Sequence, residues 1–118
     1  MSLPKVNLNT GKITWTDPTQ NSDGSAITAG EVTGYLIGVR SLTAAGSAVG
    51  TYPIQVSVTG ASAVSEALSA ITPMLKPDDY AVAGQTVSPS NGNSPWSAEF
   101  QFTGVLAPPN PPTAVSVA

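Results

Sequence analysis

The chain has 118 residues, a size that accommodates one domain with one ordinary hydrophobic core. It contains no cysteine and no histidine, which excludes disulfides and thiolate metal sites and removes the commonest general base. Four Lys and Arg against seven Asp and Glu give a net charge of −3, which argues against a nucleic-acid partner; no apolar run approaches the roughly 20 residues of a membrane span.

The first third of the chain predicts short strands separated by turns. Apolar and polar residues alternate over residues 5–9 and again over residues 12–16, and Asn9-Thr10-Gly11 forms a turn between them. Asp17-Pro18 ends the second strand, and the polar, glycine-containing stretch 19–30 predicts a loop. Residues 1–5 lack an apolar region, so we expect no secretion signal in the chain as given.

The rest of the chain continues the strand pattern with one ambiguous stretch. Inward-facing residues are expected at Tyr35 and Ile37 and at alternate positions over residues 52–58. They are also expected at the start of the strand that opens with Tyr80 and at Phe100 and Phe102 in the last strand. Residues 64–74 fit a helical spacing and equally a strand edged by Ala and Ser. Short strands with turns every 8–12 residues or so, and no sustained helix, favour an antiparallel sandwich.

The segment from Leu75 to Tyr80 is the most informative stretch of the sequence. An apolar residue, the Lys76-Pro77 turn and two aspartates lead directly into a tyrosine that opens a strand. This order is typical of a tyrosine corner, in which the phenol packs into a β-sandwich and its hydroxyl bonds to upstream backbone.

Several of these features together resemble a fibronectin type III domain, over roughly residues 3–103. They are Trp15, Asp17-Pro18, Gly34-Tyr35, the corner ending at Tyr80, and Ser94-Pro95-Trp96-Ser97. The chain departs from the pattern in a short first strand, in a corner one residue shorter than the commonest form, and in Gly84 and Thr86, where the resemblance implies inward aliphatic side chains.

The predicted fold class is therefore all-β: a seven-stranded antiparallel β-sandwich of fibronectin type III type over residues 1–104, with a proline-rich C-terminal arm or linker over residues 105–118. The predicted core consists of the large apolar residues at inward strand positions, namely Trp15, Tyr35, Ile37, Tyr80, Val82, Phe100 and Phe102.

The C-terminal segment allows two interpretations. Residues 107–112 carry four prolines and predict a stiff polyproline-like spacer, after which residues 113–117 alternate like a strand. This alternation echoes the opening segment, residues 4–8. Val115 and Val117 then form either an arm that adds to a sheet edge of a neighbouring subunit or partner, or the first strand of a following similar domain.

The candidate chemical groups favour structural interpretations. Asp17, Asn21, Asp23 and Glu31 can offer oxygen ligands to Ca²⁺, but they lack the spacing of a calcium loop, and these residue types favour turns. Asp78 and Asp79 are adjacent and are expected to point apart, and the serines have no His or Ser-x-x-Lys partner as a base. The sequence therefore predicts no catalysis, no metal and no cofactor.

Trp96 is the least constrained aromatic residue. It can stack on a sugar ring or a partner surface, whereas the favoured interpretation is a bulged lead-in strand in which Trp96 covers the sandwich edge. A surface rich in Ala, Ser, Thr and Gly and poor in charge suits packing into a repetitive assembly.

These observations lead to the expectation of a non-catalytic structural, protein-binding module. We expect a phage virion component, either a capsid-decoration or a tail-associated protein, that is homo-oligomeric or bound to neighbouring capsid or tail subunits. The alternative is an accessory fibronectin type III module of a bacterial extracellular protein, carbohydrate-active or adhesive, at the cell surface, with carbohydrate as a further partner.

Overall fold

The computed structural model describes residues 2–114, 116 and 117, so the predicted contact at Val115 lies outside the described residues. Seven strands form within that part of the chain. They are β1 (Lys5–Asn7), β2 (Lys12–Thr14), β3 (Gly34–Ser41), β4 (Ile54–Thr59), β5 (Ser65–Ala67), β6 (Asp78–Val87) and β7 (Phe100–Val105). The prediction of an all-β fold is confirmed.

The strands form two sheets. The large sheet has the order β1-β7-β6-β3-β4, and the small sheet contains β2 and β5. Ile13 of the small sheet and Leu68, which follows β5, pack against the inner face of the large sheet, where Ile37 and Val82 lie. The core is therefore shared between the two sheets, as in a sandwich.

The pairing of β1 differs from the antiparallel expectation. β1 runs parallel to β7, with Val6 opposite Gly104. The cause lies in the turn after β1: the Gly11 N–H donates to the Asn7 carbonyl at 2.7 Å, and the Asn7 side chain accepts from the Asn9 N–H at 2.8 Å. This tight turn carries the chain from the large sheet to the small one, so β1 and β2 do not form a hairpin.

The ambiguous stretch 64–74 contains neither a helix of the α type nor a long strand. After β5, the chain forms two short 3₁₀ turns, Leu68–Ala70 and Thr72–Leu75. Leu68, Ile71 and Met74 are all buried at intervals of three residues. Because a 3₁₀ turn repeats every three residues, these side chains point the same way and close one end of the core.

Most of the predicted core residues lie inside the sandwich, together with residues that the sequence did not single out. Tyr35, Ile37, Tyr80, Val82 and Phe102 are buried. The largest fully buried side chains are others, namely Leu8, Leu68, Ile71, Met74 and Val39.

Two predicted core residues require correction. Phe100 is 56% exposed, although it occupies the same face of β7 as the buried Phe102. Trp15 is only half-buried, with its ring centroid 5.4 Å from that of Tyr35. Phe100 is exposed because the small sheet is two strands wide and ends at β2, so it does not extend over the beginning of β7.

The corner and the tail complete the fold. The Tyr80 hydroxyl donates to the Lys76 carbonyl at 2.8 Å, the bond that a tyrosine corner predicts. β7 includes Val105, one residue beyond the predicted boundary at 104. The described residues of 106–117, here called the C-terminal tail, are all exposed, and the molecule measures 73 Å along its longest axis against 31 and 25 Å along the others.

Candidate functional site

An apolar groove opens between the two sheets beside β2. It consists of two adjoining cavities of about 270 and 300 Å³. The two cavities share Ile13, Thr14, Val82 and Phe100, which therefore line the middle of the groove. We call this feature the β2 groove. Its floor is the inner face of β6 and β7 where the small sheet ends, so the exposed ring of Phe100 belongs to it.

The far wall of the groove is the segment that leads into β7. The Ser94 and Ser97 N–H groups donate to the carbonyls of Thr86 and Gly84 at 3.0 and 2.9 Å. In return, the two serine hydroxyls accept from the N–H groups of the same β6 residues at 2.9 and 3.0 Å. Serine side chains thus replace backbone carbonyls as acceptors, which holds an irregular strand around Pro95 against β6.

The near wall of the groove is the outer edge of β2. The backbone N–H of Trp15 donates to the Val64 carbonyl, and the Gly11 carbonyl accepts from the Leu68 N–H. The backbone groups at odd-numbered positions from Gly11 to Trp15 therefore face β5. Successive backbone groups in a strand point to opposite sides, which turns the N–H groups of Lys12 and Thr14 away from β5. No strand among the described residues pairs with this edge.

Trp96 lies on the opposite side of the large sheet from the groove. Its half-buried ring sits 4.6 Å from the ring of Tyr52, centroid to centroid, and both cover Gly38. A Cβ atom at Gly38 would lie 2.6 Å from Tyr52 Cγ and 2.9 Å from Trp96 Cη2, so the absence of a side chain makes this packing possible. Trp96 therefore covers a sheet face, whereas the sequence analysis placed it at an edge.

A buried ion pair lies beside these aromatic rings. Arg40 donates from Nε and Nη2 to the two carboxylate oxygens of Glu99 at 2.7 and 2.8 Å, and the Tyr52 hydroxyl donates to Glu99 Oε2 at 2.8 Å. Both charged side chains are more than nine-tenths buried. The hydrogen bonds from Arg40 hold the pKa of Glu99 below its ordinary value, and burial raises the pKa of Tyr52. Because every partner is internal, the cluster is structural.

The carboxylates of the long loop are occupied by their own turns. Asp23 Oδ1 accepts from the Ser25 N–H at 2.9 Å and the Ser25 hydroxyl at 2.6 Å, and the hydroxyl bond lowers the pKa of Asp23. Glu31, nearly fully buried, accepts from the Thr28 N–H at 2.7 Å and from the Asn91 side chain, and the Thr28 N–H lowers its pKa. No group of three or more potential metal ligands occurs in the described ranges.

Asp17 and Asn21 also stay apart from a common centre. One buried oxygen of the half-buried Asp17 carboxylate has no hydrogen-bond partner among the described residues. The pKa of Tyr35 rises to about 12, first because the phenol is buried and second because Asp17 is near. Asn21 donates to the Ser25 hydroxyl at 3.2 Å.

The adjacent aspartates before β6 point in different directions. Asp78 accepts from the hydroxyls of Ser41 and Thr43 at 2.6 and 2.9 Å, which lowers its pKa, the Ser41 bond contributing most. Asp79 accepts from the hydroxyl of Thr103 at 2.6 Å, on the other side of β6. The two carboxylates serve separate neighbouring strands and do not form an acid–base pair.

The structure thus separates the residues singled out in the sequence. Trp96 lies on one face of the large sheet, whereas Trp15 and Phe100 line the β2 groove on the other. The groove itself had no sequence signal beyond Gly84 and Thr86, which leave its floor without bulky side chains. The Arg40–Glu99 pair was missed because its partners are 59 residues apart.

Comparison with family models, characterised proteins and solved structures finds no match to this chain. Among the described residues, none of the helical segments has the length and apolar character needed to cross a bilayer.

Proposed function

We propose that this chain is a non-catalytic, protein-binding module of fibronectin type III type with a C-terminal arm, and that it serves as a structural component of a phage virion, on the capsid or the tail. The fold part of the proposal is supported by strand order. Immunoglobulin-like sandwiches keep their third, sixth and seventh strands together in one sheet and place the second and fifth in the other. Strands β3, β6 and β7 share the large sheet here, and β2 and β5 the small one.

The observation that carries the functional part is the exposed tail. It extends from a sandwich whose buried Arg40–Glu99 pair is bonded internally, and its described residues are exposed along their whole length. An extended, proline-stiffened segment loses little conformational entropy when it docks on a partner. The low density of charge over the rest of the chain supports close packing among many copies.

The carboxylates support the part of the proposal that assigns no catalysis and no metal. Glu31, Glu99 and Asp78 accept hydrogen bonds that hold them as anions, so none has the raised pKa of a general acid at neutral pH. We expect calorimetric titration with Ca²⁺, Mg²⁺ or Zn²⁺ to give no binding tighter than the millimolar range. A micromolar Ca²⁺ site that disappears in Asp23→Asn would contradict this expectation and favour an extracellular module.

The direct test is mass spectrometry of purified phage particles from a host that carries this gene. We expect the chain at high copy number relative to proteins present in only a few copies per particle, and its absence from particles would reject the virion role. The neighbouring reading frames provide an independent check, because structural phage genes occur in clusters.

A carbohydrate partner is not part of this proposal. Trp96 packs against Tyr52 and Gly38 and is half-buried, which leaves less of its ring surface for stacking on a sugar. A screen of oligosaccharides with the native chain and Trp96→Ala tests this point. Binding that is lost in the variant would favour the accessory-module alternative.

A further inference from the structure

We propose that the β2 groove accepts the C-terminal segment, residues 113–117, of a second copy of this chain as an added strand. This contact deepens the proposed function, because it names the two surfaces that join neighbouring copies. It rests on the proposed function only for the biological role of the assembly. Its first element is a sheet edge without a partner strand among the described residues, beside an apolar floor.

The edge offers both halves of a strand-addition site. The peptide groups of Lys12 and Thr14 face away from β5 and toward the groove, where they can form ladder hydrogen bonds with an added strand. Phe100 and Val82 lie below this edge and can receive side chains from alternate positions of that strand. The half-exposed Phe100 ring gains most, because burial removes its apolar surface from water.

The C-terminal segment has the matching pattern. Val115 and Val117 alternate with Ala114 and Ser116 in the sequence, so a strand over these residues carries both valines on one face. Val117 is fully exposed in the structure. Five residues of strand span about 17 Å, so an added strand covers all three residues of β2, Lys12–Thr14, with one residue beyond each end.

The course of the tail favours an intermolecular contact. The tail leaves the sandwich at Val105, whose carbonyl accepts from the Leu8 N–H, close to the turn that precedes β2. The eight residue steps from Val105 to Thr113 span about 25 Å when the spacer is extended at about 3.1 Å per residue. None of the described tail residues lines the chain's own β2 groove, and all of them are exposed, so the segment is available to the groove of another copy.

The geometry is head-to-tail, with one groove and one donor segment per copy. In a symmetric dimer, both grooves are filled only if the two tails exchange. Otherwise the contact repeats from one copy to the next and produces rings or filaments. Either outcome produces self-association that increases with concentration.

The first experiment measures self-association of the full chain by sedimentation equilibrium. Thr14→Pro removes one N–H from the proposed acceptor edge and leaves the β2–β5 bonds in place, and Val117→Asp puts a charge in the apolar face of the donor. We expect each to weaken association at least about tenfold. Ser57→Pro is the matched control, because the Ser57 N–H faces outward from β4, at the opposite edge of the large sheet.

A second experiment uses the absence of cysteine from the chain. Thr14→Cys chains are mixed with Ser116→Cys or Ala114→Cys chains under mild oxidation, since these positions share the solvent face of the proposed strand pair. We expect a disulfide-linked heterodimer in one of the two mixtures and none when Ser57→Cys replaces Thr14→Cys. This measurement keeps the test decisive if Thr14→Pro does not fold.

Three results would overturn the inference. They are a chain that stays monomeric at high micromolar concentration, equal cross-linking of Ser57→Cys and Thr14→Cys, and a doubly substituted Thr14→Cys/Ser116→Cys chain that closes within one molecule. None of them bears on the presence of the chain in virions, which the particle analysis decides separately.

Discussion

Leu8 and Gly104 form the contact that locks β1 against β7, and a pair of substitutions there tests the packing at close range. Leu8 is fully buried, and a Cβ atom placed on Gly104 would lie 2.6 Å from Leu8 Cδ2. Leu8→Ala removes three carbon atoms, worth about 2.5 kcal/mol in transfer free energy at ~0.8 kcal/mol each. The cavity left behind raises the expected loss in free energy of unfolding to about 3–4 kcal/mol.

Gly104→Ala should cost about 1–3 kcal/mol because the new methyl group overlaps Leu8. In the double variant, the methyl group enters the space that Leu8→Ala vacates. The combined loss should therefore be smaller than the sum of the single losses by at least about 1 kcal/mol. Equilibrium urea denaturation of the four proteins measures this coupling. Additive losses would show that the two residues do not touch, and the parallel β1–β7 register would then be wrong.

Further predictions concern the core, the corner and pH. Phe102→Ala, at a 2% exposed residue, should reduce the free energy of unfolding by about 3–5 kcal/mol, and Phe100→Ala by less than half as much; equal losses in urea titrations would contradict the open groove. Tyr80→Phe should cost about 1 kcal/mol through loss of the hydroxyl bond to Lys76, and an unchanged denaturation midpoint would remove that bond as a source of stability. The pKa of Glu99 is lower in the folded chain than its ordinary value of about 4.3. The free energy of unfolding that ionised Glu99 contributes is therefore complete above that pH and is lost as the pH falls through the folded-state pKa. Glu99→Gln should therefore flatten the acid side of a stability–pH profile, and an unaltered slope would refute the assignment.

Local features were predictable from sequence, and distant pairings were not. The corner at Tyr80 was readable because its bond spans four residues, and the inward positions of β3 and β6 followed from a period of two. The position of β1 was not, because its partner β7 lies almost a chain length away and a three-residue strand fits either sheet edge.

The candidate site depended on that distant pairing. Alternation correctly gave Phe100 and Phe102 the same face, but alternation does not say whether another sheet covers that face. Phe100 is exposed because β1 joins β7 and leaves the small sheet two strands wide. The buried trio Leu68, Ile71 and Met74 was obscured for another reason: its three-residue spacing lies between the periods of a strand and an α-helix.

The parallel pairing of the first and last strands has a mechanical consequence. β1 begins and β7 ends at opposite ends of their shared ladder, which is closed by bonds from Thr103 to Pro4 and from Leu8 to Val105, both 2.8 Å. A force that pulls residue 2 and the C-terminal tail apart therefore loads these bonds side by side in shear, where an antiparallel terminal pair would unzip one bond at a time. A pulling force on the tail therefore acts along β7, the direction in which the β1–β7 ladder resists separation most.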